Sequence, residues 1–213
     1  VYHPHPTLLC VENTHNYGGG SVWPIDRLRE VCAVAREMGL SIHMDGARLF
    51  NAVVASGVPA KDYAAVADSV WIDLSKGLGC PVGAVLAGSQ AFIDRARRYK
   101  HLFGGAMRQA GIIAAAGVYA LDRNIDRLAD DHANARRLAE GLAGLPRVKL
   151  VYPPSTNIVF FQIDGFSPTD FTKAAAERGV RFSAVGGGVR AVTHLDVSRD
   201  QVEQAISILS AML

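Results

Sequence analysis

Trp71-Ile72-Asp73-Leu74-Ser75-Lys76-Gly77-Leu78-Gly79 and, upstream of it, His43-Met44-Asp45-Gly46-Ala47-Arg48 decide how this chain is read. Each is an apolar run that breaks into a polar residue and then a glycine. That pattern predicts a buried strand ending at a loop, with the polar group just past the strand end. In open α/β sheets ligands bind in the crevice outside the carboxyl ends of the strands. Lys76 and Asp45 are therefore expected at one crevice.

On either side of these segments, strands are predicted at Leu8–Val11, Leu40–Met44, Ser69–Leu74 and Val82–Ala87. Helices are predicted from Pro24 to Met38, Arg48 to Ala55, Ala60 to Ala67, Ser89 to Leu102 and Met107 to Leu121. Strands that are apolar throughout and alternate with helices argue for a mainly parallel α/β sheet. The short Lys76–Pro81 connection leaves room for one antiparallel strand. A long amphipathic helix is expected over Asn124–Leu142. Beyond Gly144-Leu145-Pro146 the texture changes. Strands are expected at Val148–Val151, Ile158–Ile163, Val180–Ser183 and Val189–Thr193, and helices at Pro168–Arg178 and Ser198–Leu213. Ser198 and Gln201 stand at capping-box spacing. The division is drawn at 1–122, a sheet domain, and 123–213, a connecting helix with a small α+β domain.

The 213 residues are long enough for a sizeable core. A net charge of +2 gives no electrostatic footprint for nucleic acid or a membrane surface, and no apolar run is long enough to span a bilayer. The three cysteines, Cys10, Cys32 and Cys80, are too few and too scattered for a disulfide framework or a zinc pattern. They are read as reduced thiols of a cytoplasmic protein, with Cys10 and Cys32 as small core residues. No metal site is expected.

Of the five lysines, only Lys76 lies between a strand and a glycine turn. A lysine and an aspartate at one crevice are what pyridoxal phosphate chemistry requires. The lysine forms a Schiff base, and the aspartate keeps the pyridine nitrogen protonated so that the ring acts as an electron sink. Lys76 reads equally as a surface lysine in a turn, and Asp45 as the N-cap of the next helix. Arg48 is within reach of the same strand end and pairs either with a cofactor oxygen or with Asp45. His15, in Glu12-Asn13-Thr14-His15-Asn16, follows the first strand, where a histidine contacts a substrate hydroxyl or serves no chemical role. Gly104-Gly105-Ala106-Met107-Arg108-Gln109 is a glycine-rich turn entering a helix, a setting for a phosphate with Arg108 beside it or an ordinary helix start. Arg190, after Gly186-Gly187-Gly188-Val189, is a candidate clamp for a carboxylate or an exposed strand arginine.

Taken together, Glu12–Asn16, His43–Arg48 with Phe50-Asn51-Ala52, Leu74–Gly79 with Pro81-Val82-Gly83, Met107–Gly111 and Val192–Ser198 resemble the low-specificity threonine aldolase family of fold-type I pyridoxal phosphate enzymes. The resemblance runs from about Leu8 to the C-terminus, and five motifs in order make it specific. It implies the pyridoxal phosphate-dependent transferase-like fold, with an incomplete, mainly parallel large-domain sheet and a small α+β C-terminal domain. It implies that Lys76 holds the cofactor and Asp45 partners the pyridine nitrogen. Arg48 stands near the phenolate oxygen, and Ser75 and Arg108 take part in cofactor binding. His15 meets the substrate hydroxyl as the chosen catalytic base, and Arg190 binds the substrate carboxylate. The implied reaction is retro-aldol cleavage of a β-hydroxy-α-amino acid, threonine or allo-threonine, to glycine and acetaldehyde. A dimer or tetramer is implied, with sites at subunit interfaces.

Two positions depart from the family pattern: Ala106 replaces a glycine before Met-Arg-Gln, and His101 stands where a lysine near the phosphate can occur. The chain also begins without methionine and enters a strand within a few residues. The family's N-terminal phosphate loop and ring-stacking histidine are not in it, so a fragment, inactive alone, is expected. Two further readings share the core residues: a β-eliminating lyase or aminotransferase, and a non-catalytic truncated paralogue that assembles with a full-length partner.

Overall fold

The structure is a computed structural model and describes residues 5–213. It divides into two compact units: residues up to Thr14 with Trp23–Ile125, and His15–Val22 with Asp126–Leu213.

The first unit is built on a four-stranded sheet of order β1-β2-β3-β4, made of Leu8–Glu12, Ser41–Asp45, Ser69–Asp73 and Ala84–Gly88. β1 and β2 run parallel, as do β2 and β3, whereas β4 returns antiparallel to β3. Five helices belong to it: α1 (Ile25–Glu37), α2 (Leu49–Ser56), α3 (Ala60–Ala64), α4 (Gln90–Leu102) and α5 (Gly111–Arg123). α1 buries Leu28, Cys32 and Ala35, whose four- and three-residue steps form one helical face. Against them stand the buried Ile42 and Met44 of β2. Leu74, Leu78, Cys80 and Ala120 form a second cluster under the loop that follows β3.

The second unit carries the antiparallel sheet β5-β6-β8-β7, formed by Val148–Leu150, Ile158–Ile163, Gly188–Val192 and Ser183–Val185. With it are α6 (Leu128–Ala143), α7 (Pro168–Ala176) and α8 (Arg199–Met212). Its core joins Leu138, Ala139 and Leu142 of α6 to Val159 and Phe161 of β6, Phe171 of α7 and Leu209 of α8. α8 starts with the full capping box, Ser198 Oγ accepting from Gln201 N–H and the Gln201 side chain accepting from Ser198 N–H. Thr193 is buried and donates its hydroxyl to the Asp131 carbonyl at 2.7 Å, while Asn157 Nδ2 donates to the Thr193 carbonyl at 3.0 Å. The Thr193–Ser198 motif thus ties β8 to α6 and β6, then opens α8.

Several boundaries differ from the sequence expectation. α5 begins at Gly111 rather than Met107. Gln109, inside the expected range, has a positive φ of +50°, and a right-handed helix cannot pass through it. α6 begins at Leu128, because Asn124 caps the end of α5 and its side chain donates to the Leu78 carbonyl at 2.7 Å. α3 stops at Ala64, where i→i+3 bonds at Val66 and Ala67 tighten the last turn. Val180–Phe182 is not strand. The two-residue turn Gly186-Gly187, both at positive φ, sets Val185 opposite Gly188, so β7 reaches back only to Ser183. Cys10 is exposed, unlike the buried Cys32, because β1 is an edge strand and Leu8 and Cys10 lie on its open face.

His132, within α6, is 3% exposed, and burial followed by the Arg136 charge pushes its pKa down from 6.5 to about 4. Its folded pKa lies below the unfolded value. The unfolded chain therefore takes up a proton between those limits that the folded chain refuses, and stability falls as pH falls through the window. Neighbouring Asp131 shifts upward through burial, opposed by Arg127, so its own linkage has the opposite sign. Urea unfolding of the wild type should lose about 2 kcal/mol between pH 7 and pH 5 through this histidine. His132→Gln should remove that part of the slope; an unchanged slope would show that His132 takes up its proton as readily in the folded chain as in the unfolded one.

Candidate active site

In the first unit the parallel register brings the carboxyl ends of β1, β2 and β3 side by side, with Glu12 opposite Asp45 and Asp45 opposite Trp71. The loops that leave these ends carry the polar groups. Asp45 closes β2, is half-buried, and its Oδ1 accepts the Ala47 N–H at 3.0 Å. That local bond is an Asx-type turn. It removes the helix-cap alternative, since α2 starts at Leu49 with Arg48 as its N-cap residue. Gly46 follows, and its N–H donates to the Trp71 carbonyl at 2.9 Å. A Cβ at Gly46 would stand 2.6 Å from that same oxygen. The chain passes so close to β3 that only glycine fits, and this contact fixes where Asp45 points.

Lys76 lies on the turn after β3. Its Nζ is 3.3 Å from Asp73 Oδ2 and 5.4 Å from the centre of the Trp71 ring. Beneath it the turn is anchored by the buried Leu74, Leu78 and Cys80, with Cys80 Sγ donating to the Ala116 carbonyl of α5 at 3.4 Å. Gly117 lets α5 approach Leu74 closely; an added Cβ would meet Leu74 Cδ1 at 3.0 Å. Asp73 is the polar residue that sequence reasoning left out. Burial pushes its carboxyl up, but hydrogen bonds from the Ser75 hydroxyl and N–H, together with Lys76, outweigh this and leave it lowered. The Asp73-x-x-Lys76 spacing is the signal that could have found it. Ser75, read as a cofactor residue, donates its hydroxyl to Asp73 Oδ1 at 2.7 Å. Arg48 is half-buried at the start of α2, three residues beyond Asp45.

Arg108 stands elsewhere in this unit's chain path. It is exposed, in the non-helical stretch between α4 and α5, and not at a helix start as the glycine pattern suggested.

His15 and Arg190 belong to the second unit. His15 is exposed and forms an isolated bridge with Ser21, its N–H donating to the Ser21 carbonyl at 2.9 Å. The His15–Val22 loop is fastened by Thr156, whose buried hydroxyl donates to the Gly20 carbonyl at 2.7 Å. Arg190, on β8 between Phe160 and Ser183, donates through Nη1 to Asn16 Oδ1 at 2.7 Å. Its Nε is buried without a hydrogen-bond partner. That donor is open to a ligand oxygen. In the sequence Asn16 stands out only as part of the histidine motif.

The donor set of the first unit suits pyridoxal phosphate: an amine on a strand-end turn, a half-buried carboxylate at the end of the adjoining parallel strand, and an aromatic ring beside the amine. Asn13 Nδ2 and Thr14 Oγ1, which follow β1 at the same end of the sheet, are buried and without hydrogen-bond partners, and they fit a polar ligand there. Among the described residues no three metal-ligating side chains cluster, and no helix is long and apolar enough to cross a membrane.

The beta-eliminating lyase family pattern matches residues 1–165. The chain belongs to the beta-eliminating lyase family. It is 42% identical over 212 residues to the probable low-specificity L-threonine aldolase 2 of Arabidopsis thaliana, covering 97% of this chain and 60% of that protein. It is 43% identical over 215 residues to the low specificity L-threonine aldolase of Escherichia coli K12, covering 100% of this chain and 62% of that one. The chain thus spans about three fifths of the length of these curated relatives. A solved putative aromatic amino acid beta-eliminating lyase/threonine aldolase from Exiguobacterium superposes with a TM-score of 0.81 at 26% identity, over 97% of this chain and 62% of that one. A pyridoxal phosphate-dependent aminotransferase from Streptococcus suis shares the fold with a TM-score of 0.71 at 20% identity, over 97% and 57% of the two chains. The fold is therefore that of fold-type I pyridoxal phosphate enzymes, as the resemblance implied, and pyridoxal phosphate is the cofactor that family and fold imply.

Two measurements test this site. Incubation with pyridoxal phosphate followed by borohydride and peptide mapping should place the label on Lys76; label scattered over Lys61, Lys100, Lys149 and Lys173 would refute the assignment. Gly46→Ala should lower stability by about 1–3 kcal/mol in urea unfolding, because the added methyl must push β2 from β3. A loss within measurement error would mean that the Gly46–Trp71 approach is not tight.

Proposed function

We propose that this chain forms part of a pyridoxal phosphate-dependent aldehyde-lyase that cleaves L-threonine or L-allo-threonine to glycine and acetaldehyde. One observation carries the reading: Asp45 and the Lys76 turn end adjoining parallel strands of the first unit. The naming of relatives at 42–43% identity as low-specificity L-threonine aldolases supports the choice of substrate.

When bound, pyridoxal phosphate supplies an electron sink for the pair left behind when the Cα–Cβ bond breaks. Lys76 attaches the cofactor through its amine, and Asp73 receives the ammonium when that amine is free. Asp45 holds a proton on the pyridine nitrogen; its turn with Ala47 keeps the carboxylate from rotating away. Arg48 is assigned to the phenolate oxygen, Arg108 to the phosphate and Ser75 to cofactor binding. For Ser75 this requires its hydroxyl to exchange Asp73 for a cofactor oxygen. Arg190 binds the substrate carboxylate through donors that Asn16 does not use. His15 removes the proton of the β-hydroxyl, directly or through one water.

The same proposal extends to a cytoplasmic homo-oligomer, dimer or tetramer. The free cysteines support the compartment. The oligomer rests on the family resemblance; Phe103, Ile112 and Tyr119 are exposed apolar side chains that a second copy would cover. A monomer in sedimentation velocity would count against it. β-Elimination is the second reading, favoured by the family's own description.

Product analysis with threonine, on the complete protein of which this chain forms part, separates the two. Acetaldehyde with glycine is the expected result, and 2-oxobutyrate with ammonia would establish elimination instead. Asp45→Asn should lower kcat on the order of 100-fold, because a neutral amide no longer keeps the ring nitrogen protonated. A variant with unaltered kcat would remove Asp45 from that role.

A further inference from the structure

The Asp73 carboxylate is braced on one side and free on the other. Its Oδ1 accepts the Ser75 N–H at 2.9 Å and the Ser75 hydroxyl at 2.7 Å. These two bonds hold the carboxylate so that Oδ2 faces Lys76 Nζ, 3.3 Å away. That separation exceeds the roughly 2.7–2.9 Å of a tight charge-assisted hydrogen bond, so the pair is an attraction that can be released. Among the described residues Asp73 is the only carboxylate that forms an ion pair with Lys76. The Asp73 side chain is 14% exposed and that of Lys76 37%. The anion is thus set into the turn, while the amine stays open to an arriving reagent. Burial raises the Asp73 carboxyl, but the Ser75 bonds and Lys76 outweigh this, so Asp73 is an anion at neutral pH.

An amine bonds an aldehyde carbon only as the free base. Nζ first loses a proton, and its lone pair then bonds the carbon. The aldehyde oxygen leaves as one water, and the proton returns to the new C=N nitrogen. A neighbouring anion favours the protonated amine. We infer that Asp73, braced by Ser75, governs cofactor capture: it holds Lys76 as an ammonium in the cofactor-free protein and restrains it from reacting with an aldehyde until the pair separates. This rests on the reading of Lys76 as the cofactor lysine, and it adds a control on that residue. Asp73 acts through Nζ. Removing its charge while keeping its shape frees the amine. Removing the Ser75 hydroxyl leaves the charge but loosens its direction.

The test uses the complete protein of which this chain forms part, freed of cofactor. Trace acetic anhydride acylates amines as free bases, and peptide mapping compares Lys76 with the exposed Lys61, Lys100, Lys149 and Lys173. At pH 7 Asp73→Asn should raise Lys76 acylation about 3- to 10-fold and move its pH profile downward, with the other four lysines unchanged. Ser75→Ala should raise it in the same direction by about 2-fold. Salt at about 1 M should narrow the gap between wild type and Asp73→Asn, because a pair at the surface is screened. Attachment of pyridoxal phosphate, followed by visible absorbance, should quicken in Asp73→Asn by a similar factor. Unchanged acylation of Lys76 in both variants overturns the inference. Faster attachment without faster acylation overturns it too, since Asp73 would then act on the anionic cofactor and not on the amine. If borohydride fixes the cofactor on another lysine, the reading of Lys76 fails; if the label is on Lys76 and the rates do not move, only the role of Asp73 fails. A rise shared by all five lysines would mark Asp73 as a fold residue only. Ser75→Ala removes one exposed atom from the turn, so the test survives even if Asp73→Asn fails to fold.

Discussion

The hydrogen bond from Gly46 N–H to the Trp71 carbonyl closes the parallel pairing of β2 with β3, and the geometry of the first unit depends on it. Parallel strands bring equivalent ends together, so whatever residue follows one strand lies beside whatever follows the next. Here those residues are Asp45 and the Asp73–Lys76 turn. An antiparallel pairing would have sent them to opposite edges. β4 is antiparallel, so its carboxyl end lies at the opposite edge. The absence of a Cβ at Gly46 is what lets the two strand ends close to this distance.

Charge placement differs between the two cations that matter. Lys76 has a carboxylate within reach, Asp73, which is itself held by two bonds from Ser75. The ammonium is thus paired with an anion at the surface of the turn. Arg190 in the second unit is treated in the opposite manner: its contact is a neutral amide and its charge is kept. One cation is paired with an anion and the other is left in want of one.

Motifs that look chemical in the sequence are divided between chemistry and architecture. Thr193 and Asn157 are buried and direct their hydrogen bonds to the carbonyls of α6 and β8. Ser198 is a helix cap. Thr156 secures the loop that bears His15 and Asn16. These polar side chains saturate backbone groups that helices and strands leave open at their ends. That is why such residues hold fixed places in a fold without touching a reacting atom.

Local pattern was enough to find β1 to β3, α1, α2, the antiparallel β4 and the cap at Ser198, because burial imposes periods of two and 3.6 on the side chains, and glycine or proline marks the ends. It was also enough to single out Lys76 and Asp45, since each is a polar residue set between an apolar strand and a glycine turn. Local pattern misplaced the start of α5, where positive φ at Gln109 comes from the path of the loop rather than from propensity. It placed Arg108 at a helix start, and it gave no role to Asp73 or Asn16. The order of residues alone sets which segments are strands and which of them end in reactive groups, because those properties reside in neighbours along the chain. Asp73, Ser75 and Lys76 are near neighbours whose spacing the sequence already carries. Folding in three dimensions was needed to bring Asn16 to Arg190. A partner so far away along the chain is chosen by packing in space, and no spacing rule records that choice.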